Sequence, residues 1–368
     1  MKEIHRYFIC PLLPNNKIQE LGGSVAANNF CNNLISGNAF AEILPYLPVG
    51  RAIDTKDLKY NDSHIKIFCS TRWRNNTIFR KLTFIGENIM MFNYIQKKTS
   101  VWFYNLPYTI IPLFLLIKLF KPTVKCNLIM LDFTPGRKGL KHLLNAIELK
   151  CINKMDGMIK LANSSLFTVR NSTCLPGVVP NITVKWPEID IVKRSFLLSG
   201  VLSEEISMLS MVLETFSKLP DCDLHITGSK GNEQILQQYA GKYDNIHWHG
   251  QLSFNDYLEL LHSVTFQLST RDPQMPENQC NFPSKIMEAL FHNRIIISTI
   301  QYQQLDGVKY FIVNPGEESF RNSIKKLASL SQTDLLPYAN QGELVRNKYG
   351  VKVWNDTIRK IENRLIMI

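Results

Sequence analysis

Ser284, Lys285 and Glu288 bring a hydroxyl, an ammonium and a carboxylate into one short stretch, Asn281-Phe282-Pro283-Ser284-Lys285-Ile286-Met287-Glu288-Ala289-Leu290. On a helix turning about 100° per residue, these three share one arc and Ile286, Ala289 and Leu290 share the opposite one. Pro283 suits the first turn, where its missing N–H is not needed, and Ser284 stands near the amides that a helix start leaves unpaired. Such amides hold anions. Lys285 adds a mobile positive charge beside them, and the Glu288 carboxylate, one turn further in, can accept hydrogen bonds from a vicinal diol. A diphosphate followed by a ribose is the ligand this order suggests. Read as packing alone, the same residues form an amphipathic core helix with a capped start and a solvated Lys–Glu pair.

The elements around the stretch decide between these readings. Asp223-Leu224-His225-Ile226-Thr227-Gly228-Ser229-Lys230-Gly231 reads as a strand ending in a glycine turn, and Asn245-Ile246-His247-Trp248-His249-Gly250 as a second. Arg294-Ile295-Ile296-Ile297-Ser298 is a short β-branched run, and Phe254 to His262 has a helical pattern. Alternating strands and helices imply an α/β fold with a parallel sheet and ligands at the carboxyl ends of its strands. With this order in view, residues from about Ser195 to Ser298 resemble the nucleotide-binding domain of family 4 glycosyltransferases, in the variant of bacterial surface-polysaccharide enzymes. The resemblance implies a GT-B fold, in which two Rossmann-like domains face each other across a cleft. It also implies a nucleotide-diphosphate sugar as donor, transfer with retention, and no essential metal or other cofactor.

The chain departs from that family in two places. Many members follow the strand equivalent to Phe196-Leu197-Leu198-Ser199-Gly200-Val201-Leu202 with an Arg and a Lys that neutralise the donor diphosphate, where this chain has Ser203-Glu204-Glu205. Lys285 is the replacement expected, with Lys230 and Arg271 as alternatives from neighbouring strand-end loops. The family also pairs two glutamates seven residues apart; Glu288 matches the second, but Cys280 occupies the place of the first. A thiol cannot accept from a sugar as a carboxylate does, so Glu277 or Asn281 is the expected substitute.

In the first half, His5 to Cys10 reads as a strand and a polar loop leads to Leu21-Gly22-Gly23-Ser24 and a helix from Val25 to Leu34. Gly22 and Gly23 let backbone approach a ligand or simply make a turn, and Ser24 can cap the helix; by resemblance this is the first glycine loop. Asn127 to Met130 runs as a strand into Asp132, Arg137 and Lys138. Asp132 could orient an acceptor hydroxyl or cap its own turn, and the resemblance makes it the catalytic candidate of this half. Domains are expected over residues 1–175 and 195–350, joined by a Pro-containing linker at 176–194. The helical tail, 351–368, is expected to cross back onto the first domain with Trp354 as a packing anchor.

A chain of 368 residues, 45% hydrophobic and 20% charged, suits two soluble domains. Eight scattered cysteines with no Cys-x-x-Cys pair point to reduced thiols and no zinc site, and the expected location is cytoplasmic. The net charge of +11 is one-sided: residues 1–180 hold 23 Lys and Arg against 10 Asp and Glu, residues 181–368 hold 19 against 21. A basic first half suits peripheral contact with the anionic inner face of a membrane, or is a merely solvated surface. Without a helix-turn-helix, zinc-finger or RNP-like motif, nucleic acid is not an expected partner. Val101 to Lys121 is the most apolar segment, but Asn105, Pro107, Pro112 and Lys118 interrupt any run approaching the roughly 20 apolar residues of a span. The expected activity is sugar transfer from a nucleotide-diphosphate sugar to a glycan or lipid-linked acceptor in cell-surface polysaccharide synthesis. The alternatives are a nucleotide-sugar epimerase of the same architecture and a non-catalytic nucleotide-sugar-binding subunit.

Overall fold

The computed structural model describes residues 4–135, 139–182 and 194–366. The chain divides into two compact units, Met1–Val178 with Val351–Ile368, and Val179–Gly350. Most of the expected linker, residues 183–193, lies outside the described residues, as do Arg137 and Lys138.

Unit 1 is built on a six-stranded sheet of β1 (Arg6–Cys10), β2 (Glu42–Pro45), β3 (Ser100–Tyr104), β4 (Lys125–Met130), β5 (Gly157–Lys160) and β6 (Ser172–Cys174). Their order is β2-β1-β3-β4-β5-β6, and every neighbouring pair is parallel. A parallel sheet is covered on both faces, so its strands are apolar throughout and not alternating; Ser-Val-Trp-Phe-Tyr of β3 is buried at all positions. The helix Val25–Ile35 starts where the Ser24 side chain accepts from the Ala27 amide at 3.3 Å. The apolar segment from Val101 resolves into β3 and the helix Ile111–Phe120. Among the described residues no helix is long and apolar enough to cross a membrane.

The C-terminal helix Val351–Ile366 is part of unit 1. Trp354 is buried, with its Nε1 donating to the Gly177 carbonyl at 2.7 Å and its ring edge-on to Phe30 at 5.3 Å. Glycines make room for this helix: a Cβ at Gly37 would fall 2.2 Å from Val351 Cγ1, and one at Gly157 would fall 2.4 Å from Ile361 Cγ2. Further along, the buried Glu362 carboxylate accepts from Arg6 Nε at 2.7 Å and Trp102 Nε1 at 2.9 Å.

Unit 2 holds β7 (Ser195–Val201), β8 (Asp223–Ser229), β9 (Ile246–Trp248), β10 (Phe266–Ser269), β11 (Ile295–Ser298) and β12 (Phe311–Ile312). The order is β12-β11-β10-β7-β8-β9, again parallel throughout. Alternate residues Phe196, Leu198, Phe266, Leu268, Ile295 and Ile297 form one core face against Phe216 and Phe320, with Phe196 and Phe266 stacked at 4.7 Å. The α/β architecture with two parallel sheets is the one expected from the alternating strand and helix patterns. All eight cysteines are free thiols.

Candidate functional site

The strand order of unit 2 reverses between β7 and β10: the chain moves outward through β8 and β9 on one side, then through β11 and β12 on the other. Connections that leave neighbouring strands in opposite directions open a crevice at their carboxyl ends, and ligands of open α/β sheets bind there. The groups at this point are Ser199, Gly200 and Val201 of β7 and the Arg271 loop that follows β10. Gly200 has φ +118° and Gly228, its register partner on β8, has φ +153°. A Cβ at Gly228 would lie 1.9 Å from the Gly200 carbonyl oxygen, whereas one at Gly200 would meet nothing within 4 Å. The two strand ends are thus drawn together and β7 faces open space.

The helix Ser284–Phe291 points its polar arc at this region. Ser284 is exposed, Lys285 and Glu288 are half-buried, and Ile286, Met287, Ala289, Leu290 and Phe291 are buried, so the helical periodicity separates the two arcs as expected. Pro283 stands one place earlier than the sequence suggests: its ψ of 113° is extended, which makes it the N-cap and Ser284 the first helical residue. No side chain caps this helix start.

Lys285 Nζ lies 2.8 Å from Glu288 Oε2, and the Tyr257 hydroxyl donates to the same oxygen at 2.9 Å. The Lys285 ammonium also stands 3.8 Å from the Tyr257 ring centroid, a cation–π contact. Burial first, then the Glu288 charge, pushes the Tyr257 phenol well above its ordinary range, against a smaller opposing contribution from the Ser199 hydroxyl. Tyr257 therefore remains a proton donor that fixes the carboxylate, and through Ser199 the cluster reaches the end of β7. Ser199 in turn lies 3.5 Å from Oε1 of the fully buried Gln267, whose amide donates to the Leu197 and Leu268 carbonyls at 3.1 and 2.9 Å. Sequence reading missed Tyr257, Ser199 and Gln267. A tyrosine in a helix and a glutamine in an apolar strand carry a signal only once their partners, dozens of residues away, are known.

The other expected residues fall as follows. Arg271, on the β10 side of the crevice, donates from Nη1 to Asn278 Oδ1 at 3.2 Å, and its backbone N–H donates to Thr299 Oγ1 at 2.7 Å. Glu277 belongs to the short helix Pro276–Cys280, its carbonyl accepting from the Asn281 amide at 3.1 Å; Cys280 is buried and Asn281 half-buried. Lys230 is exposed, in a left-handed conformation (φ +62°) just past β8. Trp248 packs on the core face, and His225 and His249 pair with each other at 3.0 Å. Gly22, Gly23 and Asp132 belong to unit 1. Gly22 has φ +76° and lies where a Cβ would be 3.2 Å from the Arg51 guanidinium, whereas Gly23 is closed over by Leu13, 2.5 Å from a Cβ. Asp132 is exposed beyond β4, its amide donating to Asn105 Oδ1 at 3.3 Å. Asn105, with φ +51°, sits beside the reversal of this sheet between β1 and β3. Among the described residues, no group of three or more His, Cys, Asp or Glu could hold a metal ion.

The helix carrying the site ends at His292, which is buried and paired with His262 at 2.8 Å. Burial, then His262 and nearby cations, lowers its pKa from 6.5 to about 3. A histidine held neutral contributes stability that is present above its unfolded pKa and lost as pH falls from about 6.5 towards 3, at about 1.4 kcal/mol per pH unit. His262 is shifted in the same direction by burial. Urea midpoints should therefore fall between pH 6.5 and 5, before most carboxylates titrate, and His292→Asn should flatten that slope; an equally steep slope in the variant would remove His292 as its cause.

No protein-family model matches the chain, and no curated protein matches it either. Solved structures do. The glycosyltransferase AviGT4, involved in avilamycin A biosynthesis, is 11% identical with a TM-score of 0.63, covering 99% of this chain and 98% of that one. A trehalose-6-phosphate protein of E. coli bound with UDP-2-fluoro glucose is 9% identical with a TM-score of 0.66, covering 97% and 98%. An alpha,alpha-trehalose-phosphate synthase (UDP-forming) of Burkholderia xenovorans in complex with glucose-6-phosphate is 9% identical with a TM-score of 0.65, covering 97% and 100%. At these identities the likeness is one of fold, and it extends over nearly the whole chain: this protein has the two-unit α/β fold of the GT-B glycosyltransferases.

Proposed function

We propose that the protein is a glycosyltransferase that moves a sugar from a nucleotide-diphosphate sugar to a glycan or lipid-linked acceptor, in cell-surface polysaccharide synthesis. The observation that carries this reading is the Lys285–Glu288–Tyr257 cluster on a helix whose polar arc meets the strand-order reversal of unit 2. The diphosphate binds at the Ser284 helix start with Lys285 as counter-charge, Arg271 and Lys230 assisting, and the ribose diol binds Glu288. Asn281 and Glu277 contact the donor sugar in place of the glutamate that Cys280 replaces. In the reaction the bond from the anomeric carbon to the diphosphate breaks, an acceptor hydroxyl forms the new glycosidic bond with retention, and its proton passes to a base. Asp132 fills that role or orients the hydroxyl, and the Gly22–Gly23 loop lets backbone come close to the ligand. Helix amides and Lys285 stabilise the departing diphosphate.

A thermal-shift panel of nucleoside diphosphates tests the binding half. A ligand at about one hundred times its Kd should add about 2.7 kcal/mol, a shift of several degrees. Donor turnover with and without a cell-envelope extract tests the chemistry: acceptor-dependent transfer supports the reading, epimer formation points to an epimerase, and binding without turnover to a non-catalytic subunit. No shift with any nucleoside diphosphate would sink the reading.

A further inference from the structure

Large apolar side chains that stand exposed are unevenly placed. Among the described residues fifteen of the twenty-one lie between residues 71 and 150, and unit 2 contributes only five. A soluble protein scatters such residues singly; a concentration of them marks an interaction surface. Ile78, Leu82, Ile85 and Ile89 follow one another at helical spacing along the 3-10 helix Phe79–Leu82 and the helix Thr83–Tyr94. Leu119 and Phe120 close the helix Ile111–Phe120, which packs against Thr83–Tyr94. The two helices are tied where they meet, by the Phe92 and Phe120 rings at 6.3 Å and by Lys121, which donates to the Phe92 and Ile95 carbonyls. These apolar tips project: Ile78 is 78%, Leu119 72% and Phe120 64% exposed.

The charge around them has one sign. Residues 71–150 hold thirteen Lys and Arg against three Asp and Glu. Arg72, Lys81, Lys97 and Lys98 are exposed. Glu87 is the one carboxylate between residues 71 and 131, and it is buried in a two-pronged ion pair with Arg74 at 2.7 and 2.6 Å. The carboxylates near these residues are few: Glu42 meets Tyr94 from β2, and Glu148 follows Ile147 on the helix Leu140–Ile152. Aromatic side chains border them, with Trp73 and Phe79 half-exposed and 5.7 Å apart.

We propose that this face of unit 1, the Phe79–Leu82 and Thr83–Tyr94 helices with the end of Ile111–Phe120, is an interfacial docking surface for an anionic lipid bilayer. Projecting aliphatic tips enter the acyl boundary, aromatic rings take the headgroup level, and the basic residues meet the lipid phosphates. Charge selects this occupant: a surface of many projecting tips in a segment with thirteen Lys and Arg against three Asp and Glu complements a flat anionic sheet. The proposal stands apart from the sugar-transfer reading, since it involves no nucleotide and no catalytic group.

The test is co-sedimentation of the full chain with phosphatidylcholine vesicles containing or lacking phosphatidylglycerol, at low and raised salt. Wild type should sediment only with the anionic vesicles, less so as salt rises, with a blue shift of tryptophan emission that Trp73→Phe removes. Ile78→Ser with Leu119→Ser should weaken partitioning roughly tenfold or more, and Lys97→Glu with Lys98→Glu should abolish it, with melting curves unchanged because all four side chains are exposed. Ile312→Ser, an exposed apolar change in unit 2, serves as control and should bind as wild type. Equal binding to neutral vesicles, no binding at low salt, or wild-type partitioning of the Ile78 and Leu119 variant would overturn the proposal. So would a self-association equilibrium that the same variant abolishes, which would put a second copy of the chain on this face.

Discussion

Glu362→Ala is expected to destabilise unit 1 by about 3–5 kcal/mol, the cost of removing one partner from a buried ion pair. Glu362 is 2% exposed, and its two oxygens are divided between Arg6 Nε and Trp102 Nε1, donors on β1 and β3. Truncation therefore removes the Glu362 partner of the Arg6 guanidinium and leaves the Trp102 indole N–H without this acceptor in a buried setting. Replacing both charges, Arg6→Met with Glu362→Leu, should cost much less than Glu362→Ala, because the buried ion pair is then removed from both sides. Since two units need not unfold together, amide exchange is the better measurement: protection along Val351–Ile366 should fall in the single variant and largely return in the double. Unchanged protection in Glu362→Ala would show that the helix is held by Trp354 and the Gly37 and Gly157 contacts instead.

Local features of this chain were legible because they repeat with a fixed period. The two arcs of the Ser284 helix, the Ser24 cap and most strands follow from spacing and from residues whose chemistry acts within a few positions. Pro283 slipped by one place because a proline φ suits both the N-cap and the first turn, and only ψ separates them. The partners of the site were not legible. Tyr257 meets Glu288 from another helix and Gln267 meets Ser199 from another strand, and a single sequence gives no measure of such distances. Charge was legible in total but not in placement: Arg74 adds to the basic count of the first half, yet it is buried against Glu87 and contributes nothing to the surface.

Ser203-Glu204-Glu205, where the resemblance to family 4 glycosyltransferases leads a basic pair to be expected, has a physical consequence in this fold. Glu204 and Glu205 are exposed in the first turn of a short helix directly after β7, and Glu204 accepts from the Ser210 amide at 3.0 Å. Two carboxylates beside the strand end would oppose a bound diphosphate and not neutralise it, so the proposed binding mode puts the counter-charge on Lys285, already engaged with Glu288 at 2.8 Å. A phosphate that draws Lys285 away must compete with that ion pair. A half-exposed pair of this kind is worth only about 0–1 kcal/mol, so the exchange is feasible at little cost, and Tyr257 keeps Glu288 in place when the lysine leaves.

That arrangement sets the second expectation: Glu288→Ala should weaken nucleoside diphosphate binding roughly tenfold or more while leaving inorganic diphosphate binding unchanged or stronger. Charged hydrogen bonds to a ribose diol contribute on the order of 1.5–3 kcal/mol, and they vanish with the carboxylate; Lys285, released from its partner, remains for the phosphates. Lys285→Ala should weaken both ligands, because it acts on what they share. Tyr257→Phe keeps the ring beneath the ammonium and removes only the hydroxyl bond to Glu288, so it should cost part of the nucleotide affinity and none of that for inorganic diphosphate. If the cluster merely packs a helix, all three variants change stability and none separates the ligands. Calorimetric titration of each variant with both ligands decides this, provided each still melts cooperatively. Wild-type affinity of Glu288→Ala for every nucleoside diphosphate that stabilises the parent protein would end the ribose assignment, and the nucleotide would then have to be sought at Arg271 or Lys230, on either side of the same strand reversal.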